Sequence, residues 1–541
     1  MPIKAKNRQN QLRIMSKKIY ISTIILSALL LLPLVFFPIS LDLSIFATAG
    51  KVIADGGKIY VDYVDVKPPL VYYLFAMVYK IFSWETFYLR LTDYIWQMAT
   101  IISIIFVSKR IFSGKYTPAI SAIIYAISFV SMNFENVTQC EGFIALPIVW
   151  SIYLFVEKQQ FSKYHYLNGA LAGIITGMKY SFGIILIPFA LFDILNTKNY
   201  KELFKTIERQ AIGFLMAFSL VSLPFIDVDV RHGFSNLMQY LSFYADNPPL
   251  TSSFAIYSLK VIGGFFGTKY SLLLTIAAFF SIYSIIKNNS KEETGINYSI
   301  QAKEKRFLLI SLLIILFFLL SVFLERKYYF YHYLRFYLPL TLLSATGIEF
   351  AIKEIFSDKR KKHINIIITS GLLAFALFFG PFARYFNYSL APYYYFNDKE
   401  KYHRIFDRPY LIGEIINEQR QVADYLKRNV KPSEKVLVMS IESNPLYQMA
   451  DIKRVSKFAL SSMYFGAGAP EDWKKDIFTE LKSSDWLVIQ VKLRQSTFNG
   501  HNRTAMESLV SRKEMYAYFL ENFEVCDSKT SLHIFKRKIK N

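Results

Sequence analysis

Acidic and basic side chains are concentrated in residues 42–73, a stretch that follows the first long apolar segment of the chain. Asp42 stands at its start, and Lys67 stands near its end, directly before a pair of prolines. A carboxylate can act as a base toward a hydroxyl group, and a cation can stabilise a departing phosphate. In a chain that is otherwise mostly apolar, this combination predicts an active-site loop.

Local signals predict how Asp42 is held. Ser40 and Asp42 precede an amphipathic run in which apolar residues recur at helical spacing, so a short helix is predicted to begin here. Asp42 then lies in its first turn. Gly56 and Gly57 are predicted to end this helix, because glycine readily adopts the backbone conformations found at helix termini.

The second half of the stretch predicts a rigid corner. Residues 60–65 form a predicted turn or extended segment that returns Asp62 and Asp65 towards the start of the helix. Lys67 precedes a proline, which favours an extended backbone, and Pro68-Pro69 suits the first turn of the next helix. We therefore expect Lys67 to be a cation fixed at this corner.

These residues carry a resemblance to a known family. In their order and spacing they resemble the first external loop of the glycosyltransferase C superfamily, in its bacterial branch related to protein O-mannosyltransferases and the lipid A aminoarabinose transferase. The matching residues are Asp42, Phe46, Gly50, Gly57, Tyr60, Asp62, Asp65, Lys67-Pro68-Pro69 and Tyr72. The resemblance implies that Asp42 is the catalytic carboxylate and that the donor is a sugar on a polyprenyl phosphate.

Composition indicates the class of protein. The 541 residues are 53% hydrophobic and 17% aromatic, and apolar runs of bilayer-spanning length recur as far as residue 380. The chain is therefore predicted to be a polytopic α-helical membrane protein with about eleven spans, in contact with membrane lipids. The net charge of +22 lies mainly in short loops and the tail, which indicates membrane orientation and no nucleic-acid partner. Cys140 and Cys526 indicate neither a disulfide framework nor a metal cluster, and a single disulfide between them is left as an alternative.

The predicted organisation has two parts. Residues 1–380 form the transmembrane domain, in which the first external loop, 39–87, carries the active-site motif. Residues 381–541 form a small soluble α/β domain outside the membrane. Basic residues before the apolar run 19–38 predict a cytoplasmic N-terminus in a bacterial inner membrane, and this run is too long for a cleaved signal peptide.

Further elements follow from periodicity. The Tyr-rich residues 69–83 are short for a span and are predicted to form a juxtamembrane helix at the outer face. In the tail, 435–440 and 485–492 are typical of strands, and 412–429 of an amphipathic helix. This part has no glycine-rich phosphate loop, so no nucleotide cofactor is expected.

Other apolar runs predict the remaining membrane segments. We expect spans near residues 258–286 and 363–380, and a flexible cytoplasmic loop over the polar residues 287–306. Residues 167–195 are expected to form two short spans that meet at Lys179. Gly169 and Gly173 lie four residues apart before that point, which favours close helix packing.

Outside the first loop, four side chains are further candidates. Glu141 is either a solvated loop acid or a contact for the acceptor or a divalent cation. Lys179 is either a donor-phosphate ligand or a lysine that reaches the lipid headgroups. His332 and Arg335 could bind the donor phosphate, since guanidinium suits bidentate phosphate contacts, but His332 could equally pack at the interface.

In the first loop itself, Lys67 is a further candidate for the donor phosphate, and its alternative is a headgroup contact. Asp62 and Asp65 are candidates for binding a divalent cation or the acceptor, and their alternative is ordinary turn formation. Asp42 has a different alternative, which is that its carboxylate simply favours the start of a helix.

The predicted function is transfer of a sugar from a polyprenyl-phosphate donor to a lipid-linked glycan, a lipopolysaccharide or a protein on the outer side of the membrane. Direct displacement with Asp42 as base would invert the anomeric configuration. The alternatives are a flippase or transporter that moves such a lipid without chemistry, and a catalytically silent relative. The sequence does not select among mannose, aminoarabinose, galacturonic acid and other sugars.

Overall fold

The computed structural model describes most of the chain. The described ranges are 18–157, 162–246, 254–267, 271–288, 296–325, 329–357, 381–407, 416–440, 443–492 and 503–539. By internal contacts the chain divides into two units. The first unit comprises Met1–Phe37, Arg90–Val221 and Ala255–Tyr393, and the second comprises Pro38–Leu89, Ser222–Phe254 and Tyr394–Asn541. The predicted boundary after residue 380 adjoins residues outside the described ranges and stays a prediction.

The first unit is helical. Its first helix is described from residue 18 and continues to residue 31. The other α-helices are Thr86–Ile111 and Phe254–Gly267, which both begin in the second unit, Thr117–Ser131, Cys140–Phe143, Ala145–Glu157, Lys163–Met178, Leu186–Asn196, Tyr200–Val221, Leu272–Asn288, Ile296–Glu325, Tyr337–Ser357, Pro381–Ser389 and Ala391–Asn397, which ends in the second unit. Short 3-10 helices span Leu32–Phe36, Tyr180–Ile185 and Phe330–Phe336.

Several of these helices have the length and composition of membrane spans. Among the described residues, four helices are long and apolar enough to cross a bilayer: Lys18–Phe36, Thr86–Ile111, Cys140–Glu157 and Ser299–Glu325. Shorter apolar helices are Pro69–Ile81, Thr117–Ser131, Tyr180–Asn196 and Leu272–Ile286. The chain is thus a mostly helical protein suited to a membrane, and the count of about eleven spans stays a prediction.

Two predictions about this unit were wrong. The region 258–286 is predicted as one span, but the structure has two helices there, Phe254–Gly267 and Leu272–Asn288, and residues 268–270 lie outside the described ranges. The loop predicted over 287–306 is already helical from Ile296, because its polar residues continue into the long apolar helix that ends at Glu325. The predicted span 363–380 and the basic residues 1–17 lie outside the described residues.

The predicted close helix packing is confirmed. The helices Lys163–Met178 and Tyr200–Val221 meet through glycines: a Cβ atom added to Gly169 would lie 1.9 Å from the carbonyl oxygen of Gln210, and one added to Gly213 would lie 1.9 Å from that of Tyr166. Only glycine permits two backbones to approach so closely. The first helix ends at Met178, and Lys179 is extended, which confirms the predicted break at Lys179.

The second unit combines helices with a sheet. Its α-helices are Leu41–Ala54, Pro69–Ile81, Val228–Asp246, Lys399–Phe406, Ile416–Asn429, Ser443–Ala450, Ser462–Phe465, Glu471–Ser483, Ala505–Val510 and Lys513–Asn522, with a 3-10 helix at Leu223–Ile226. The strands are β1 Lys435–Met439, β2 Lys453–Arg454, β3 Trp486–Gln490, β4 Phe523–Asp527 and β5 Leu532–Arg537.

The sheet is five-stranded and mixed. Its order is β2-β1-β3-β5-β4; β1 is parallel to β2 and β3, and β5 is antiparallel to β3 and β4. In the register Val438 lies opposite Val488, and both are buried. Leu426 of the helix Ile416–Asn429 packs into the same core. The strands predicted near 435–440 and 485–492 and the amphipathic helix are confirmed, the last from Ile416 onward.

Two helices of the first loop pack against each other. Leu41–Ala54 and Pro69–Ile81 are so close that a Cβ atom on Gly50 would lie 2.6 Å from the backbone of Phe75. Phe46 stacks on the Phe75 ring, with 6.0 Å between the ring centres. These contacts hold the two helices together on either side of residues 55–68.

Candidate active site

Asp42 lies where the sequence predicts it. The helix Leu41–Ala54 has Ser40 at its N-cap and Asp42 in its first turn. A carboxylate here is favoured by the partial positive charge of the helix N-terminus. The helix ends before Asp55, and Gly56 follows with φ of +95°, a backbone conformation that favours glycine.

The corner at Lys67 is held from both sides. Pro68 is the N-cap of the helix Pro69–Ile81, as predicted. The backbone N–H of Lys67 donates to the Tyr72 hydroxyl oxygen at 3.0 Å, and the Tyr60 hydroxyl donates to the Lys67 carbonyl oxygen at 2.7 Å. Tyr72 in turn donates to Asp65 at 2.5 Å. Both tyrosines are buried, so the backbone of Lys67 is fixed by contacts that water does not replace.

Asp42 and Lys67 form a pair. The Lys67 Nζ atom lies 3.9 Å from Asp42 Oδ1, and 18% of the Asp42 side chain is exposed against 10% of Lys67. The same ammonium group lies 5.5 Å from the centre of the Phe46 ring. A partly accessible carboxylate beside a fixed cation can accept a proton while the cation attracts an anionic group.

The other two acids of the first loop make structural contacts. Asp62 Oδ2 accepts a hydrogen bond from the Lys58 backbone N–H at 2.7 Å, which closes the turn. Asp65 is 2% exposed and bonds to Tyr72. The turn-forming alternative describes the contact of Asp62, whereas Asp65 anchors the Tyr72 side chain. The predicted binding of a cation or the acceptor by these two acids stays a prediction.

Two further acids bind the turn from another helix. Lys58 Nζ lies 2.8 Å from both Asp227 Oδ2 and Asp229 Oδ2. Hydrogen bonds from Lys58 lower the pKa of Asp227, and hydrogen bonds to both acids raise the pKa of Lys58. These acids form the Asp-Val-Asp triplet of the sequence, and here they anchor Lys58.

No metal centre emerges from the described part of the chain. Within it, no three His, Cys, Asp or Glu side chains are grouped so that they could hold an ion. Cys140 is buried and Cys526 is exposed, and neither takes part in a disulfide in the part of the chain that the structure describes. Within the described ranges the residues present therefore provide no ligand set for a divalent cation.

The first unit contains a second group of charged side chains, which we call the acid–base cluster: Glu141, Lys179, Glu325, His332 and Arg335. Lys179 Nζ donates to Glu141 Oε1 at 2.9 Å and to Glu325 Oε2 at 2.7 Å. Arg335 donates to Glu325 Oε1 at 2.7 Å and to Glu141 Oε1 at 3.3 Å. Two cations thus share two carboxylates.

His332 completes the cluster. Its Nδ1 atom lies 3.4 Å from Glu325 Oε2, and its Nε2 atom lies 3.3 Å from Lys179 Nζ. The Ser181 hydroxyl donates to Glu325 Oε1 at 2.5 Å. Three members are buried, since Glu141 and Arg335 are 0% exposed and His332 is 3% exposed, while the Lys179 and Glu325 side chains are 14% and 13% exposed.

The contacts of the cluster bear on the two interpretations given above for Glu141 and for Lys179. The structure excludes the alternative that Glu141 is a solvated loop acid, because Glu141 lies in the first turn of the buried helix Cys140–Phe143. Lys179 does not reach for headgroups either, since its ammonium group is held by two carboxylates. The structure brings Glu141, Lys179, His332 and Arg335 together, and it pairs Lys67 with Asp42 in the other unit.

Sequence reasoning missed Glu325. It is the last residue of the long apolar helix Ile296–Glu325, and an acid at the end of such a run is the signal that was available. It contacts both cations of the cluster, so each of the predicted phosphate ligands Lys179 and Arg335 already has a carboxylate partner.

A buried polar network adjoins Glu141 in sequence and was also missed. Arg90 donates to Thr138 at 2.6 Å and to the Phe134 carbonyl oxygen at 2.8 Å, and Thr138 donates to Asp93 at 2.7 Å. Thr138 has φ of +58°, an unusual conformation for a residue other than glycine. The network holds the segment that leads into Glu141.

Part of the chain matches a known family model. A family model described as dolichyl-phosphate-mannose-protein mannosyltransferase matches residues 66–226. Over this part, which is less than half of the chain, the match supports the resemblance to the glycosyltransferase C superfamily that the first loop indicates. No curated protein matches the sequence.

The particular structures that share this fold include ArnT from Cupriavidus metallidurans. In its apo state it is 11% identical, with a TM-score of 0.56 and coverage of 98% of each chain. Bound to undecaprenyl phosphate it is 11% identical, with a TM-score of 0.55 and coverage of 95% of this chain and 97% of ArnT. At this identity the likeness establishes the fold alone. The Archaeoglobus fulgidus oligosaccharyltransferase in complex with Zn and sulfate is 13% identical, with a TM-score of 0.47. The match covers 86% of this chain and 67% of the oligosaccharyltransferase.

Proposed function

We propose that this protein is an integral-membrane glycosyltransferase that takes a sugar from a polyprenyl-phosphate donor. The observation that carries the proposal is the Asp42–Lys67 pair, a partly exposed carboxylate 3.9 Å from a cation on a fixed corner. The match of residues 66–226 to the mannosyltransferase model and the ArnT-like fold support it.

In the proposed reaction the acceptor hydroxyl loses its proton to Asp42, and its oxygen attacks the anomeric carbon of the donor sugar. The bond between that carbon and the phosphate oxygen breaks, and the polyprenyl phosphate leaves with the electron pair. Lys67 stabilises the negative charge that develops on the leaving phosphate. Direct displacement inverts the anomeric configuration.

The acid–base cluster has a separate proposed role. Lys179, His332 and Arg335 are proposed to contact the phosphate of the donor, and Arg335 offers a planar guanidinium for bidentate contact. Glu141 and Glu325 hold these cations in place when no phosphate is bound to them. Glu141 is also proposed to contact the acceptor.

The remaining proposals concern the setting. The acceptor is a lipid-linked glycan, a lipopolysaccharide or a protein at the outer face of a bacterial inner membrane. The N-terminus is cytoplasmic, and the α/β part, residues 381–541, is external. If a divalent cation takes part, we propose that it enters together with the donor and that oxygens of the donor phosphate are among its ligands.

The experiment that tests the donor assignment is a transfer assay in membranes that contain the protein. A panel of radiolabelled polyprenyl-phosphate sugars is offered, and label in endogenous acceptors is measured. We expect transfer from one donor and none from the corresponding nucleotide sugars. Movement of the labelled lipid between leaflets without any transfer would favour the transporter alternative instead.

A further inference from the structure

The C-terminal part of the second unit bonds directly to the backbone of the first loop. The Val64 N–H donates to the Lys457 carbonyl oxygen at 2.8 Å, and the Ala459 N–H donates to the Val64 carbonyl oxygen at 3.0 Å. Val64 thereby forms an isolated parallel bridge with Phe458. One residue of the loop is thus hydrogen-bonded on both sides, like a rung of a sheet.

Side chains reinforce this bridge. The hydroxyl of Tyr63, which is fully buried, donates to Asn444 Oδ1 at 3.2 Å, and Asn444 Nδ2 donates to the Ala459 carbonyl oxygen at 2.6 Å. The guanidinium carbon of Arg454 lies 4.3 Å from the centre of the Tyr63 ring, and its Nη2 atom donates to the Phe458 carbonyl oxygen at 2.6 Å. Asn444 and Arg454 therefore each contact the loop and the segment that pairs with it.

A short path leads from this bridge to the proposed catalytic pair. Asp65 follows Val64 in the chain and accepts the hydrogen bond of Tyr72. Tyr72 accepts from the Lys67 N–H, and the Lys67 ammonium group lies 3.9 Å from Asp42. Displacement of Val64 would carry Asp65 with it and release one of the contacts that fix Lys67.

We propose that Arg454 and Asn444 are positioning residues for sugar transfer, which hold Tyr63 and Val64 so that Lys67 stays beside Asp42. This inference rests on the function proposed above for the first loop. It gives residues near the C-terminal sheet a part in catalysis, although they lie some four hundred residues from Asp42 in sequence.

The test compares Arg454→Ala with Arg454→Lys and with Lys453→Ala. Lys453 is the exposed neighbour in the same strand, so its variant removes a charge and leaves the Tyr63 contact intact. Two readouts are taken on the full-length protein: hydrogen exchange at the Val64 amide, and kcat and KM for the donor.

In Arg454→Ala we expect Val64 to exchange about tenfold faster, because its hydrogen bond to Lys457 opens more often. The kcat should fall by about 10- to 100-fold, because misplacement of a catalytic group costs rate, while the donor KM changes less than about twofold. Arg454→Lys should recover part of the kcat, and Lys453→Ala should match the wild type.

Several results would overturn the inference. Unchanged exchange at Val64 in Arg454→Ala would refute the contact, and faster exchange with unchanged kcat would refute its role in catalysis. If Arg454→Ala does not fold, Tyr63→Phe removes the hydrogen bonds of the hydroxyl to Asn444 and Arg454, keeps the ring, and should lower kcat by about threefold or more. An unchanged kcat there would count against the proposal. Absence of transfer by the wild type would instead refute the proposed function, and the positioning role with it.

Discussion

At the scale of single residues, charge pairing distinguishes the two groups of candidates. The Lys67 Nζ atom lies 3.9 Å from Asp42 Oδ1, which is longer than a hydrogen bond, and 18% of the Asp42 side chain is exposed. The acid–base cluster has shorter contacts, such as 2.7 Å between Lys179 and Glu325, and its Glu141 and Arg335 side chains are fully buried. The longer contact leaves Asp42 able to act on a substrate, whereas the members of the cluster hold one another in place.

Glu325 should therefore be important for stability. Glu325→Gln removes a carboxylate that contacts Lys179 and Arg335 and leaves two buried cations with Glu141 as their shared partner. Breaking a buried pair typically costs about 3–5 kcal/mol. We expect a clearly lower melting temperature in detergent. Glu202→Gln, at an exposed position, is the control and should melt as the wild type does; equal melting of both variants would contradict the assignment.

A buried acid in the sheet-containing part predicts a pH dependence. Burial raises the pKa of Glu480 to about 7, so the folded protein retains this proton at pH values where the unfolded chain has lost it. Stability from this group is present at low pH and falls as the pH rises from about 4.5 to about 7, where it levels off.

The measurement compares thermal unfolding of the wild type and Glu480→Gln at pH 5 and pH 8. The amide of the variant does not titrate, whereas Glu480 is charged at pH 8. The melting temperature of Glu480→Gln relative to the wild type should therefore be higher at pH 8 than at pH 5. A difference that is the same at both pH values would show that Glu480 does not titrate in the folded state over this range.

At the scale of elements, sequence predicted the parts with strong local signals. The helix start at Ser40, the Pro68-Pro69 corner and the two strands depend on caps, prolines and short-range periodicity, which act within a few residues. The misread span 258–286 does carry a local signal for a break, because Gly267 is followed by Thr268 and Lys269, but the apolar residues on both sides outweighed it.

The contacts of the site needed the three-dimensional structure. Glu141 and Lys179 are 38 positions apart, and Glu325 is 146 positions from Lys179, so no local pattern indicates that they meet. Tyr63 and Asn444 are 381 positions apart. Residue type identified several of these side chains as candidates, but only the fold shows which partners neutralise them.

The glycine contact between two helices gives a prediction at this scale. A Cβ atom at Gly169 would lie 1.9 Å from the Gln210 carbonyl oxygen, so Gly169→Ala must push the helices apart. We expect a loss of about 1–3 kcal/mol in stability, measured by denaturation in detergent. Gly263→Ala is the control, because no atom lies within 4 Å of the added group there. Similar stability of the two variants would contradict the close approach.

At the scale of the whole molecule, the cysteines test the proposed topology. Cys526 is exposed and Cys140 is buried, so a thiol reagent that does not cross membranes should label Cys526 alone. If residues 381–541 are external, intact spheroplasts should be labelled as strongly as lysed ones. Burial and Glu524 raise the pKa of the Cys526 thiol, so labelling should be faster at pH 8.5 than at pH 7.

Cys526→Ser serves as the control for this experiment and should abolish labelling in both preparations. Labelling that requires lysis of the spheroplasts would place the C-terminal part in the cytoplasm and would contradict the proposed orientation.

The measurement that tests the central claim most directly is the rate of sugar transfer by Asp42→Asn. The matched control is Asp55→Asn, which changes an exposed acid at the other end of the same helix. We predict that Asp42→Asn, folded and present at wild-type amounts, loses transfer by about 100-fold or more, since it removes the base, and that Asp55→Asn is unaffected. Undiminished transfer by Asp42→Asn would contradict the assignment of Asp42 as the catalytic carboxylate.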